Sequence, residues 1–399
     1  MYGLTEIHRS GRRRRASLPL IAGVVVLAVS ACGSSGTTAP GVTTAPEASA
    51  ATAAPEASAA TTAPEASAAT TVVDDAAGLD ASSEAWWASR PAIADVIPAQ
   101  PIKIAVMGFA NNPYWVGIQN GAAGANEALR SHNTQVDWLV TGTTQDVPGV
   151  NAAVLAAASQ GYQGIIFFIA GPGNCAVIEQ LSAQGIVLGV YNTLQPCVKT
   201  SGGLIDIAQA QYQAGVNSAK ELIKAVGDKK GEVGIITSLF SAPGAEFRRT
   251  GFIDGLQGSN ITPVNKGVEA ADSAGTSFTL AQQFMTAVPD LVGIYATAGG
   301  PFGAAQAVAA AGKQDTIKVI GYDMTAENAA ALKDGSMYAV TGQDAYGQTY
   351  NGVVAIFNKI AANQDPPNVY QKSFSPWVTK DNLSQYDPST HPVDTLGVS

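Results

Sequence analysis

Histidine and cysteine are scarce in this chain, with three of each among 399 residues. The histidines are scattered: His8 near the start, then His132 and His391 at polar positions far apart in sequence. No His/Cys cluster has metal-ligand spacing, and neither a P-loop nor a G-x-S-x-G elbow occurs, so metal, phosphate-transfer and serine-hydrolase chemistry have no visible footing. Basic charge is also short, at 22 Lys+Arg against 31 Asp+Glu. A surface of that sign repels phosphate backbones, so nucleic acid is not an expected partner. Aromatics make up only 7% of the chain, which gives weight to the places where they gather.

What is present begins with an export pattern. Arg12 to Arg15 precede the apolar run "LPLIAGVVVLAV", which is too short to span a bilayer comfortably and ends at small residues. "VSAC", Val29 to Cys32, resembles the bacterial lipobox, and that resemblance implies cleavage before Cys32 and lipidation of its sulfur. An uncleaved anchor or an ordinary secreted protein are the alternatives, and "RRASL" leaves twin-arginine export open beside the general route. Loss of residues 1–31 lowers Lys+Arg from 22 to 17 and Asp+Glu from 31 to 30, a net charge of about −13. With Cys32 lipidated, Cys175 and Cys197 remain as an even pair outside the cell, expected to be bridged; two buried thiols are the other reading.

Residues 32–100 are expected to be the lipidated cysteine and a tether. "APEASAAT" recurs at 45–52, 54–61 and 63–70, made of residues that cannot bury a core. As a flexible coil the stretch would span roughly 45 Å, enough to hold a domain off a membrane. "EAWWASRP" (84–91) interrupts its polarity, and Trp86 and Trp87 either dock on the domain or remain linker.

From Lys103 onward apolar runs of strand length ("KIAVMGF", "GIIFFIA", "IVLGVYN", "GEVGIITS", "LVGIYATA", "IKVIGYD", "YAVTGQ") alternate with helical patterns. Strands buried on both faces and joined by single helices predict right-handed βαβ units and parallel sheets. About 290 such residues exceed one core, so two α/β lobes are expected, with ligands at the carboxyl ends of the strands. "NNPYW" (111–115) sits at the first of those ends. Asn112 can cap a helix and Pro113 suits its first turn, while Tyr114 and Trp115 serve either the core or the face of a sugar ring. "GPGNCA" (171–176) fits a dinucleotide fingerprint, but it follows the third strand, and Asn192 stands where an acid should hold a ribose. Asp206, Glu246, Asp272 and Asp323 are single acids at strand ends or helix starts, each able to be a surface cap; Asp323, ending "VIGYD", is the best ligand candidate.

Residues 102–385 resemble the periplasmic sugar-binding proteins of ABC importers, the ribose-binding protein family. "NNPYW" is similar to that family's Asn-Asn-Pro-aromatic-aromatic motif, "KVIGYD" to its Val-Gly-Phe-Asp strand, "FRRTGFIDGL" to its Arg-Gly-x-Gly-Phe helix, and "YAVTGQ" to the strand carrying its ligand-binding Gln. The resemblance implies a two-lobed type I periplasmic-binding-protein fold with doubly wound parallel-sheet lobes and three interlobe crossovers, near Asp206, Gln343 and Lys372. It assigns 101–205 plus 344–372 to lobe 1 and 206–343 plus 373–390 to lobe 2. It implies ligand contacts at Asn112, Tyr114, Trp115, Asn192, Glu246, Asp323 and Gln343, with no catalytic residue, cofactor or metal. Thr193 and Glu246 replace the family's hydroxyl-gripping arginines, Ala298 replaces an Asn and Asp272 a stacking Phe, so the ligand need not be ribose.

The implied function is capture of a small sugar or polyol by hinge closure and delivery to a membrane permease, by a monomer lipid-anchored at the cell surface or in the periplasm. A sensor passing its closed state to a kinase is the alternative, and the cysteine pair flanking "VLGVYNT" also resembles the related receptor for a furanosyl quorum signal. Regulators of the lac-repressor type share the fold but need a helix-turn-helix where this chain has an export pattern. A secreted hydrolase or oxidoreductase lacks its nucleophile or complete fingerprint.

Overall fold

The computed structural model describes residues 90–110, 113–298 and 300–386. The export pattern, Cys32, the repeats, Trp86, Trp87 and Asn112 lie outside the described residues.

The first lobe runs β1 (Ile102–Gly108), α1 (Tyr114–Leu129), β2 (Thr134–Val140), α2 (Val147–Ser159), β3 (Gly164–Phe168), α3 (Cys175–Ser182), β4 (Val187–Asn192), α4 (Cys197–Thr200) and β5 (Ile205–Ala208). The second runs α5 (Gln211–Val226), β6 (Gly231–Thr237), α6 (Pro243–Gly255), β7 (Ile261–Pro263), β8 (Val268–Glu269), α7 (Ala274–Ala287), β9 (Leu291–Ala296), α8 (Pro301–Ala310), β10 (Lys318–Tyr322), α9 (Ala326–Asp334) and β11 (Ala339–Thr341). The chain then returns for α10 (Ala345–Ala362) and β12 (Tyr370–Lys372) on the first lobe and ends on the second with β13 (Trp377–Thr379).

The first sheet has the order β12-β5-β4-β3-β1-β2, all parallel. The second has β13-β11-β10-β9-β6-β7, with β8 also on β6 and only β13 antiparallel. Both therefore repeat one doubly wound order, in which the strand sequence reverses beside the first strand of each lobe. That reversal opens a crevice at the carboxyl ends. Strands such as β3, GIIFF, are buried along their whole length, because helices cover both faces of a parallel sheet.

Three segments join the lobes, and they are stitched to one another. The Gln209 side-chain amide donates to the Gly342 carbonyl at 2.8 Å and to Ser375 Oγ at 2.5 Å, so one buried side chain touches all three crossings. The Ser373 N–H donates to the Ala208 carbonyl at 2.8 Å and the Gly342 N–H to the Pro376 carbonyl at 2.9 Å. The boundary expected between 205 and 206 falls inside β5, whose pairing with β4 and β12 keeps it in the first sheet; the chain leaves after Ala208. Asp206 is accordingly no surface cap. It is fully buried in β5, and desolvation raises its carboxyl well above the usual carboxylate range, opposed by the Gln195 N–H it accepts at 2.7 Å.

The tether was expected to reach residue 100, yet residues 90–98 are laid on the first lobe. Ile93 packs on its core. Asn358 holds the segment from α10, its side chain accepting from the Ala94 N–H and donating to the Ala92 carbonyl, both at 2.9 Å. Cys175 and Cys197 are joined in a disulfide, Cα–Cα 6.0 Å, that ties the loops after β3 and β4.

Candidate functional site

Two cavities open where the carboxyl ends of the sheets face each other, with Tyr114, Asp323 and Gln343 lining both. The smaller, about 60 Å³, is walled by Trp115 and Asn192 from the first lobe and by Arg248, Asp272 and Ala298 from the second. The larger, about 260 Å³, lies toward the crossings, among Val116, Met324, Phe374 and Pro376.

Tyr114 opens α1, and burial pushes its phenol well above the ordinary range. Its hydroxyl is fixed twice, donating to Gln348 Oε1 at 3.1 Å and accepting from Asn192 Nδ2 at 3.0 Å. Trp115 is 3% exposed and meets Phe109, Tyr114 and Phe168 edge-on at centroid distances of 5.2, 5.1 and 5.5 Å. Among the described residues its indole N–H has no hydrogen-bond partner. Such a donor, buried beside a polar cavity, is costly unless a ligand or water satisfies it.

Asn192 and Asp323 follow or end their strands with φ of +89° and +72°, and Asp272 has φ of +59°. Non-glycine residues pay strain for left-handed backbone, and clusters of them mark functional strand ends. Asp323 accepts from Gln343 Nε2 at 2.5 Å. Desolvation raises its carboxyl above the usual range, Arg248 and the Gln343 amide oppose this, and Asp272 adds to it.

Arg248 is the central residue that sequence reasoning missed. Its guanidinium lies 4.3 Å over the Tyr322 ring, with Nη1 donating to the Thr297 carbonyl at 2.9 Å, Nη2 to Gln343 Oε1 at 3.0 Å, and Nε to Gln211 Oε1. Of five N–H groups on a guanidinium, these contacts leave one on each Nη for a ligand. Gly215 on α5 makes the placement possible, since a Cβ there would collide with the Arg248 carbonyl. A signal was available: Ala245, Arg248, Arg249 and Phe252 share one buried helical face; Glu246 pairs with Arg249 and leaves Arg248 as the cation without a carboxylate on its own helix. Glu246, the expected site residue of this helix, lines neither cavity; it grips Arg249, Oε1 at 2.6 Å and Oε2 at 2.8 Å. Thus Tyr114, Trp115, Asn192, Asp323 and Gln343 come together, Glu246 stands apart, and Asn112 lies outside the described residues.

The glycines of "GPGNCA" serve a turn. Asn174 is buried and its Oδ1 takes the N–H groups of Ala170 at 2.8 Å and Gly171 at 3.2 Å, leaving those donors no role in cradling a phosphate. Among the described residues no group of three His, Cys, Asp or Glu could hold a metal, and no helix is long and apolar enough to cross a membrane.

The sequence pattern of the periplasmic binding protein domain matches residues 104–364. The chain belongs to that family. The relatives it matches are sugar-binding transport proteins, not enzymes. The D-ribose/D-allose-binding protein of Pseudomonas aeruginosa is 24% identical over 281 residues, 67% of this chain and 85% of that one. The D-allose-binding periplasmic protein of Escherichia coli is 23% identical over 245 residues, 60% of this chain and 78% of that one. Among solved structures, a solute-binding protein of Burkholderia graminis in complex with D-arabinose superposes with a TM-score of 0.66 at 22% identity, covering 72% of this chain and 99% of that one. One from Actinobacillus succinogenes with bound D-allose gives 0.64 at 19% identity, covering 71% and 100%. These likenesses establish that this binding protein has the two-lobed fold.

Proposed function

We propose that this protein captures a small neutral sugar or polyol between its lobes and presents it, closed, to an ABC permease, as a lipoprotein anchored through Cys32. The observation that carries the reading is the convergence of Asp323, Gln343, Arg248, Asn192 and Trp115 on one cavity at the carboxyl ends of both sheets. Amide, carboxylate and guanidinium groups together offer both acceptors and donors, which suits hydroxyls that do both. An anionic solute would meet Asp323 and Asp272, so a neutral ligand fits better. The aldoses of those relatives, D-ribose, D-allose and D-arabinose, are the first to try.

Closure follows from where the contacts come from. Asn192 and Trp115 belong to one lobe, Arg248 and Asp323 to the other, so a ligand touching all four has its full affinity only for the closed state. Gln343 sits on a crossing and serves both. Positive charge is available from Arg248 although Thr193 and Glu246 supply none, so hydroxyl recognition does not depend on the missing arginines.

A thermal-shift panel of pentoses, hexoses and polyols tests the reading. A ligand at a hundredfold excess over its Kd stabilises by about 2.7 kcal/mol. The expected result is a melting shift for a narrow set of aldoses, confirmed by calorimetry. No shift with any neutral sugar or polyol would sink the proposal.

A further inference from the structure

Arg90 stands outside the family-matched region and outside both cavities. Its Nη1 and Nη2 nonetheless clasp the Asp344 carboxylate at 2.9 and 3.3 Å. The Asp344 side chain is completely buried and that of Arg90 is 14% exposed. Arg90 also lies 5.6 Å over the Tyr346 ring. Gly347 leaves room for it, because a Cβ there would collide with both Arg90 Nη1 and Asp344 Oδ2.

Asp344 is the residue by which the second crossing becomes α10. It caps that helix, accepting from the Gly347 N–H at 3.0 Å, with φ of +47°. It lines the larger cavity and directly follows Gln343, whose side chain joins Asp323 to Arg248. The Gln343 carbonyl is in turn held by Gln348 Nε2 at 2.7 Å, and Gln348 also receives the Tyr114 hydroxyl.

We propose that Arg90, at the end of the tether, is a positioning residue for ligand binding. By fixing Asp344 in its left-handed conformation it sets the direction in which the crossing delivers Gln343 to the site. A bidentate guanidinium–carboxylate pair fixes orientation as well as distance, which a lysine cannot reproduce. The chain that leads to the anchor is thereby coupled to the crossing that bends when the lobes close. This proposal rests on the sugar-binding reading for its affinity test, and a sugar-free measurement keeps the two separable.

In the full-length chain, amide hydrogen exchange at Gly347 and Gln348 is measured without sugar for the wild type, Arg90→Ala, Arg90→Lys and Gly347→Ala. Affinity for the best aldose among D-ribose, D-allose and D-arabinose is then measured by calorimetry. Arg90→Ala and Gly347→Ala are expected to accelerate exchange and to weaken binding roughly tenfold, with Arg90→Lys in between. Asn358→Ala frees the same strap from α10 without touching Asp344, so it should lower the melting temperature and leave Kd unchanged. Unaltered exchange in Arg90→Ala overturns the clamp whether or not any sugar binds. Unaltered Kd in folded Arg90→Ala, or an equal loss in Asn358→Ala, overturns the positioning role and leaves only a structural strap.

Discussion

Trp115 lines the cavity yet is only 3% exposed, packed in T-shaped contact with Phe109, Tyr114 and Phe168, so little of its ring is open to a sugar. The expected contribution is therefore its indole N–H. Trp115→Phe keeps an aromatic ring in the cluster and removes the donor, so affinity for the aldose should fall by about 1 kcal/mol, with a smaller drop in melting temperature than truncation to alanine gives. Trp115→Ala would lower both. Asp323→Asn should weaken binding by roughly 2 kcal/mol, since hydrogen bonds to a charged group are the stronger kind; titration calorimetry on the folded variant checks it. Asp206 yields a prediction about pH. Its folded pKa is raised by burial, so the folded state holds its proton at pH values where the unfolded chain has released it. The stability contributed by that neutral form is complete below the unfolded pKa, about 3.9, and is lost as pH rises toward the folded value. Asp206→Asn keeps an acceptor for the Gln195 N–H and cannot ionise. It should melt higher than wild type at neutral pH, with the gap closing as pH falls toward 4 in scanning calorimetry.

At the scale of elements, the strands declared themselves because burial on both faces leaves nearly continuous apolar runs. The turns after them were legible as punctuation, but their purpose was not. "GPGNCA" carries a phosphate-binding spacing, yet the Asn174 side chain consumes the very donors a phosphate would need. The disulfide beside it closes a loop of 22 residues. Breaking it by Cys175→Ser should cost on the order of 3 kcal/mol in the chain-entropy account, read as a lower melting temperature with ligand affinity retained. The helix α6 was read as the carrier of Glu246, while its neighbour two positions on faces the cavity. Residues two apart on a helix lie about 200° apart, so a shift that small exchanges the inside for the outside.

For the whole molecule, the proposed closure requires the three crossings to bend together. Gln209 binds a partner on each of the other two, so Gln209→Ala should loosen the hinge. The expected signature is a smaller change in radius of gyration on adding sugar, measured by X-ray scattering, together with weaker binding. The proposed lipid anchor belongs to the same scale: Cys32→Ser should release the domain into the medium with its affinity intact, and full membrane retention of that variant would refute lipidation.

Sequence by itself determined the fold class, the two parallel sheets, and the strand ends beside which Tyr114, Trp115, Asn192 and Asp323 stand. Each of these follows from local pattern: alternation, buried runs, and the residues that come directly after a strand stops; Gln343 was marked by resemblance to the family motif instead. Tertiary structure alone decided that Arg248 rather than Glu246 faces the cavity, that Asp206 is buried, and that Arg90 reaches Asp344 across 254 positions of sequence. Those outcomes turn on which helix face meets a neighbour and on contacts between segments far apart in the chain, and no local pattern of residues encodes either.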